Sequence, residues 1–237
     1  MMAEIPKIIH QIWSGIDEPL PAHFKELGET WKRDYPEWEY EFWDNDRMYQ
    51  FIRDFYPQYQ EAYNRFPHNI QRWDAMRYLI LDKMGGIYVD FDYESIKPLN
   101  EVLKEKTCCF ASEPIEHLAI FERNTYINNA LMASAPEHPF MNEIIQKVFV
   151  PEIKNQKYTD KMEEVLNTTG PIMLSNLLEQ SKCKNEVSIL PANLVSPFSK
   201  MDARRFLSGS YDENFEEYLE NKLEEAFAIH YFIGAWT

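Results

Sequence analysis

The strongest constraint on this chain lies between Asn69 and Asp92, where a helical stretch meets an extended one across a pair of glycines. Residues 69–84 hold no glycine or proline and read as one long helix; Gly85-Gly86 ends it and lets the backbone turn sharply. Ile87-Tyr88-Val89 then reads as a strand running onto Asp90-Phe91-Asp92. Two carboxylates at a strand end can face one ion, because residues i and i+2 point the same way on an extended chain. Their hard oxygens suit Mg²⁺ or Mn²⁺, which take remaining ligands from water and substrate phosphates.

Upstream, element types alternate. Ile8 to Trp13 predicts a buried first strand, and Pro21 to Asp34 a helix with Phe24, Leu27 and Trp31 at helical spacing. Trp38 to Trp43 alternates aromatic and acidic residues, the pattern of a strand with one buried face. Asp44 or Asn45 then caps a helix that stops at Pro57. This order predicts an α/β fold with a parallel sheet, whose ligands bind beyond the carboxyl ends of the strands. Trp13, Asp44 and Asp90 fall at such ends. After Pro98, short strands are expected at 107–111, 119–121 and 126–132, helices near 139–150, 161–166, 171–180 and 213–225, and a last strand at 228–232. No repeat or linker interrupts the chain, which predicts one domain over 1–237.

Composition bounds the function. The 24 basic and 39 acidic residues give a net charge of −15, which repels nucleic-acid backbones and anionic membranes. A nucleotide could still bind if a metal or local cations neutralised its phosphates. Cys108, Cys109 and Cys183 form no C-x-x-C pair, no apolar run approaches a membrane span, and the first residues lack a secretory pattern. The expectation is a cytoplasmic chain in a reducing compartment, at most peripheral at the inner membrane face.

A lone D-x-D says little, and this chain has a second one, Asp44-Asn45-Asp46, which reads as a helix cap. The helix before Asp90 separates the two. Asp74 and Arg77 lie three apart on it, either as a surface ion pair worth about 0.2–0.5 kcal/mol or as groups for a sugar and a phosphate. Other residues carry two readings each. His10 is a hydrogen-bonded core histidine or a donor contact, and Trp13 is core or a surface for a base. Asn167-Thr168-Thr169-Gly170-Pro171 reads as a helix start, with threonine capping and proline in the first turn, and any second reading of it rests on resemblance. Asn128 and Asn129 are turn formers or amides near a reacting sugar.

The string D-x-x-R-Y-x-x-L-x-x-x-G-G-x-Y-x-D-x-D, Asp74 to Asp92, resembles the sugar-binding D-x-D region of glycosyltransferase family thirty-two. That family includes yeast-type α-mannosyltransferases and bacterial capsule and lipopolysaccharide enzymes, and the string also resembles the catalytic domain of clostridial glucosylating toxins. Ile5 to Trp13, Trp38 to Trp43 and His230 to Trp236 look like further parts of the pattern, and Thr169-Gly170-Pro171 resembles a string of the family, which implies a substrate-side role for it. The resemblance implies a GT-A type, Rossmann-like fold with a mixed, mainly parallel sheet and helices on both faces. Residues 1–99 would bind the nucleotide-sugar, and 100–237 would supply the acceptor side and a C-terminal tail.

The implied activity is retaining hexose transfer from a nucleotide-sugar, UDP-hexose first and GDP-mannose second, to a glycan or lipid-linked glycan in polysaccharide biosynthesis. His10, Gln11, Trp13, Asp74, Arg77, Gly86, Asp90 and Trp236 would hold the donor. Asp90, Asp92 and His230 would hold Mn²⁺ or Mg²⁺, with Asp92 the direct ligand. Asp90, Asp92, Arg77, Asn128 and Asn129 would serve catalysis. With no clear Glu or Asp at a strand end beyond the pair, a front-face route is expected, the leaving phosphate helping to deprotonate the acceptor. The rivals are a silent nucleotide-sugar-binding module and a D-x-D phosphohydrolase; the latter usually carries a hydroxyl after the motif, where Tyr93-Glu94 stands here.

Overall fold

The computed structural model describes residues 4–149 and 158–234. Strand β1 (Ile8–Ile12), helix α1 (Ala22–Asp34), β2 (Glu39–Trp43) and α2 (Asn45–Phe55) follow the predicted order, with Asp44 capping α2 by accepting from the Arg47 backbone N–H. A short turn of 3₁₀ helix (Pro57–Tyr59) leads to α3 (Gln60–Arg65), then α4 (Asn69–Met84), β3 (Gly86–Val89) and β4 (Tyr93–Ser95). The second half runs α5 (Asn100–Leu103), β5 (Cys108–Ser112), α6 (Ile115–Ile120), β6 (Ile127–Ser134) and α7 (Pro139–Phe149). After it come α8 (Lys161–Thr168), α9 (Pro171–Gln180), β7 (Ser188–Leu190), α10 (Ala192–Val195), α11 (Lys200–Leu207), α12 (Glu213–Leu223) and β8 (Ala228–His230).

Six strands form the main sheet in the order β2-β1-β3-β6-β5-β7. β1 is parallel to β2 and β3, β5 is parallel to β7, and β6 runs antiparallel to both neighbours. The sheet is therefore mixed and mainly parallel, and it joins the two halves of the chain through β3 and β6. Side chains alternate across it: Tyr88, Phe110 and Met132 pack with α2, α4, α7 and α9, while Ile87, Val89 and Leu131 pack with Trp31 of α1, Leu103 of α5 and Val195 of α10. Helices cover both faces. A third cluster joins α11 and α12 to β8 through Ala203, Phe215, Leu219 and Ile229.

Helix α4 is the spine of the site. Every residue from Asp74 to Leu81 is buried, so it lacks the polar outer stripe of a surface helix. Its end depends on both glycines. Gly85 and Gly86 have φ of 67° and 98°, and a Cβ on Gly86 would stand 2.5 Å from the Ile8 carbonyl oxygen. The turn is thereby pressed against β1, which aims β3 and everything after it.

Three expectations fail. Residues 119–121 form no strand, because Pro114 opens α6 and the apolar Ile115 and Ile120 face solvent. The last strand stops at His230, where Phe232 takes φ 51°, and it pairs with β4 in a separate ribbon. The aromatic alternation of β2 marks no buried face: this is an edge strand, with Phe42 exposed and Tyr40 half-buried.

Candidate active site

The Asp pair lies in a tight turn, where the Tyr93 backbone N–H donates to the Asp90 carbonyl at 3.2 Å. The extended-chain argument for convergence is corrected accordingly: the turn brings Asp90 and Asp92 together. It sends Phe91 inward beneath them, against Trp13 and Phe42 at ring distances of 6.4 and 6.1 Å.

Behind Asp90 stands a buried polar chain. The Tyr88 hydroxyl donates to Asp90 at 2.6 Å, and Arg77 Nη1 lies 3.3 Å from the same carboxylate. Arg77 also donates to the Asn129 carbonyl at 2.8 Å and pairs with Asp74 at 3.2 Å. Asp74 accepts from Asn129 Nδ2 at 2.9 Å and from the Thr169 hydroxyl at 2.8 Å. Asp74 and Arg77 are 2% and 4% exposed, so they do not form the surface ion pair that spacing alone allows. Burial pushes the Asp74 carboxyl up to about 6, with Arg77 opposing. Burial likewise raises Asp90 against the pull of Arg77, and the Asp92 charge adds to the rise. Asp90 keeps 30% of its side chain exposed and is where this chain of contacts opens outward.

Asp92 is held differently. Burial would raise it, but His230 Nε2 at 3.4 Å and the Ile233 backbone N–H at 3.0 Å bring it below the usual carboxylate range. Asp92 in turn outweighs the effect of burial on His230 and raises that ring. The His230 imidazole is stacked on Tyr93 at 4.2 Å and lies 3.9 Å from Phe232, and its Nδ1 is buried without a partner.

Among the described residues, no three His, Cys, Asp or Glu side chains stand together as a metal-holding group. The expected set Asp90, Asp92 and His230 is thus not assembled as three ligands, because His230 Nε2 faces Asp92 instead. The two carboxylates themselves fit a small divalent cation. They are hard oxygen donors close enough for the charge of one to raise the other.

The remaining expected residues divide. His10 is fully buried: its Nε2 meets the Gly85 carbonyl at 2.9 Å and its Nδ1 accepts from Trp43 Nε1 at 3.2 Å. Both nitrogens are used, so the donor-contact reading is corrected to the core histidine. Gln11 is buried too, accepting from Tyr40 and reaching the Asp90 carbonyl, which braces the turn. Gly86 contributes backbone geometry alone. Trp13 is half-buried at the end of β1, its Nε1 donating to the Glu18 carbonyl. Asn128 and Asn129 lie within β6 and form no turn; Asn128 spends its side-chain oxygen on the Ala130 and Leu131 N–H groups, while Asn129 joins the Asp74 chain. Trp236 lies outside the described residues.

Sequence reasoning missed several groups. Thr169 does not cap α9, whose N-cap is Gly170; its hydroxyl goes to Asp74, 95 positions away. Tyr78 and Tyr88 stand in the resembling string without a role for their hydroxyls, and the Tyr93 hydroxyl was given none either. A carboxylate does stand at another strand end: Glu113, just beyond β5, is 7% exposed.

Residues 21–109 match the family described as "Glycosyltransferase sugar-binding region containing DXD motif". The chain thus carries the DXD-containing sugar-binding region of this glycosyltransferase family over those residues. It is 30% identical over 178 residues to inositol phosphoceramide mannosyltransferase 1 of Schizosaccharomyces pombe, covering 73% of this chain and 51% of that protein. It is also 30% identical over 183 residues to mannosyl phosphorylinositol ceramide synthase SUR1 of Saccharomyces cerevisiae, covering 75% and 43%. The chain thus spans about half the length of the curated relatives it matches. In fold it is similar to the ligand-free glycosyltransferase domain of the YGT toxin, with TM-score 0.58, 10% identity and coverage of 93% and 89%. It is also similar to the PaToxG glycosyltransferase, with TM-score 0.57, 15% identity and coverage of 95% and 90%. These likenesses establish a GT-A-like glycosyltransferase fold.

Proposed function

We propose that the chain transfers a mannosyl residue from a nucleotide-sugar to a hydroxyl-bearing lipid or glycan acceptor, with retention at the anomeric carbon. The observation that carries this reading is the buried Asp74–Arg77–Asp90 chain, which ends on the Asp90–Asp92 turn at the strand ends. The names of the two yeast relatives favour a mannosyl donor over the UDP-hexose first expected, and a lipid acceptor over a capsular glycan. Such an acceptor would put the reaction at a membrane surface; no described helix is long and apolar enough to cross one.

Asp90 and Asp92 would hold Mn²⁺ or Mg²⁺, which supplies charge neutralisation at the leaving diphosphate. The protein's own part is positional. Arg77, fixed between two carboxylates, orients Asp90 toward the opening and offsets its charge, so a sugar hydroxyl can donate to Asp90. Trp13 would edge the base. Asp74, with its oxygens already engaged, acts on the sugar through Arg77 and Asn129 rather than by facing it. Phe91 and Tyr93 keep water from beneath the turn.

The test is release of nucleoside diphosphate from GDP-mannose and UDP-glucose, with and without Mn²⁺, and the anomeric configuration of the product by NMR. Metal-stimulated turnover of GDP-mannose with a retained product supports the proposal. Binding without turnover of either donor would make this a silent binding module, and an inverted product would remove retention.

A further inference from the structure

The three most exposed large apolar side chains among the described residues stand on two helices that touch. Met201 of α11 is 80% exposed, and Ile115 and Ile120 of α6 are 77% and 71% exposed. The Lys200 backbone N–H, at the start of α11, donates to His117 Nε2 of α6 at 3.1 Å. Lys222 of α12 ties the two together, 3.2 Å from Asp202 and 3.7 Å from Glu116. Scattered exposed apolar side chains are ordinary on a protein surface. Here the extreme ones are gathered by hydrogen bonds and ion pairs onto adjoining helices.

Helix α11 is two-sided. Ala203 is buried and Asp202 and Phe206 half-buried, while Lys200, Met201, Arg204, Arg205 and Leu207 are exposed. Three basic residues against one acidic over Lys200–Leu207 contrast with 24 against 39 over the whole chain. The one acid, Asp202, is committed: it accepts from the Ser199 backbone N–H at 2.9 Å and pairs with Lys222. Arg205 is shared between Asp212 at 3.5 Å and the Phe215 ring, but Lys200 and Arg204 form no ion pair among the described residues. On α6, Glu116 is answered by Lys222, and Glu122 stays exposed just beyond the helix end. The many acids farther away act weakly on this surface, because physiological salt screens exposed charges beyond about 8 Å.

Projecting apolar tips beside unpaired basic side chains fit the boundary of a bilayer, where acyl chains take the tips and lipid phosphates take the cations. A folded partner needs a matching shape at the core of its interface, whereas a bilayer accepts separate prongs. Ring contacts carry this surface to the site. His117 lies 4.9 Å from Phe232, Phe232 lies 3.9 Å from His230, and His230 Nε2 faces Asp92 at 3.4 Å.

We propose that α6 and α11 dock this chain on an anionic lipid bilayer, with Ile115, Ile120 and Met201 entering the acyl boundary and Lys200 and Arg204 meeting lipid phosphates. The inference rests on the lipid-acceptor reading of the same site: docking here would set the Asp92 turn beside the bilayer that holds such an acceptor.

The test is cosedimentation of the whole chain with phosphatidylcholine vesicles, with and without phosphatidylserine, in the absence of donor and metal. The parent should bind both, and the phosphatidylserine vesicles more tightly. Combining Ile115→Ser, Ile120→Ser and Met201→Ser should lower the partition coefficient at least about 100-fold, since burying each such side chain contributes roughly tenfold or more. Its melting temperature should match the parent's, because all three side chains are exposed. Lys200→Gln with Arg204→Gln should weaken binding about 10- to 30-fold on phosphatidylserine vesicles and less than about twofold on phosphatidylcholine alone. A parent that does not cosediment, or a triple variant that binds like the parent, overturns the proposal. So does a parent that is dimeric by sedimentation equilibrium and becomes monomeric in the triple variant, which would give the surface to a second copy. Nucleoside diphosphate release from GDP-mannose, measured in parallel without vesicles, keeps the two readings apart. Its absence sinks glycosyl transfer while vesicle binding stands, and failed binding with release intact sinks the docking surface alone.

Discussion

Thr169→Val removes one hydroxyl from the Asp74 carboxylate while conserving the shape of the side chain. The hydrogen bond is 2.8 Å long, both residues are buried, and the partners left to Asp74 are Arg77 at 3.2 Å and Asn129 at 2.9 Å. Hydrogen bonds to charged groups contribute about 1.5–3 kcal/mol, and no cavity is opened, so the same range is expected for the stability loss. The loss must depend on pH. Asp74 titrates at about 6 in the folded protein against 3.8 when unperturbed, so the folded state holds its proton more firmly than the unfolded one. Ionising it costs folding stability as pH rises through that interval. The variant lacks a donor that favours the ionised form, so its midpoint moves to above about 7, at roughly 1.4 kcal/mol per pH unit. The difference between the two proteins is then full above about pH 8 and shrinks as pH falls toward 5. Urea denaturation at pH 8.5 and pH 5 measures it, with Thr169→Ser as the hydroxyl-retaining control. A loss below about 0.5 kcal/mol at pH 8.5, or an equal loss at both pH values, would refute the assignment of the hydroxyl to an ionised Asp74.

Gly86→Ala should destabilise by about 2–5 kcal/mol, the sum of left-handed strain and a clash with the Ile8 carbonyl; a denaturant midpoint within error of the parent would contradict it. His10, lowered by burial to about 4 from 6.5, binds fewer protons folded than unfolded between those values. Stability should therefore rise with pH across that window by about 3 kcal/mol, and His10→Gln should flatten that part of the profile. Asp92→Asn should lower Mn²⁺-stimulated donor turnover at least about 100-fold and abolish the thermal shift with Mn²⁺ while leaving the circular dichroism unchanged. Asp90→Asn should leave a weakened thermal shift, and equal effects of the two variants would argue against separate roles.

The glycine-terminated helix was legible because the breakpoint is local: Gly85 and Gly86 are needed by backbone geometry whatever lies around them. The strands onto which Trp13, Asp44 and Asp90 follow were legible because each is a short apolar or aromatic run bounded by turn or cap residues. The β4–β8 ribbon was not, since two three-residue strands 135 positions apart carry no period of their own. α6 misled because an apolar segment was taken for a buried one, and Ile115 and Ile120 are 77% and 71% exposed. Thr169 misled for the opposite reason. Threonine before Gly-Pro is a good local cap, and only the long-range partner reveals that its hydroxyl is already committed. Local rules found the scaffold, and they failed where a residue's partner is distant in sequence.

Asp90 and Asp92 carry opposite perturbations two residues apart, and the cause is geometric. The turn leaves Asp90 on the side of α4, where Arg77 is shared with Asp74, so one guanidinium offsets two carboxylates, one buried and one partly exposed. Asp92 faces β8 instead, where His230 and the Ile233 N–H serve it alone. One carboxylate is consequently raised and the other lowered. Environments that push paired carboxylates apart give them different work. Asp92 is the more firmly ionised of the two and suits a cation; Asp90, partly exposed and bonded to Tyr88, suits a hydroxyl. On the proposed reading, a chain with a net charge of −15 would hold an anionic donor through a cation on the Asp90–Asp92 turn rather than through an excess of basic side chains, with Arg77 offsetting the carboxylates behind it.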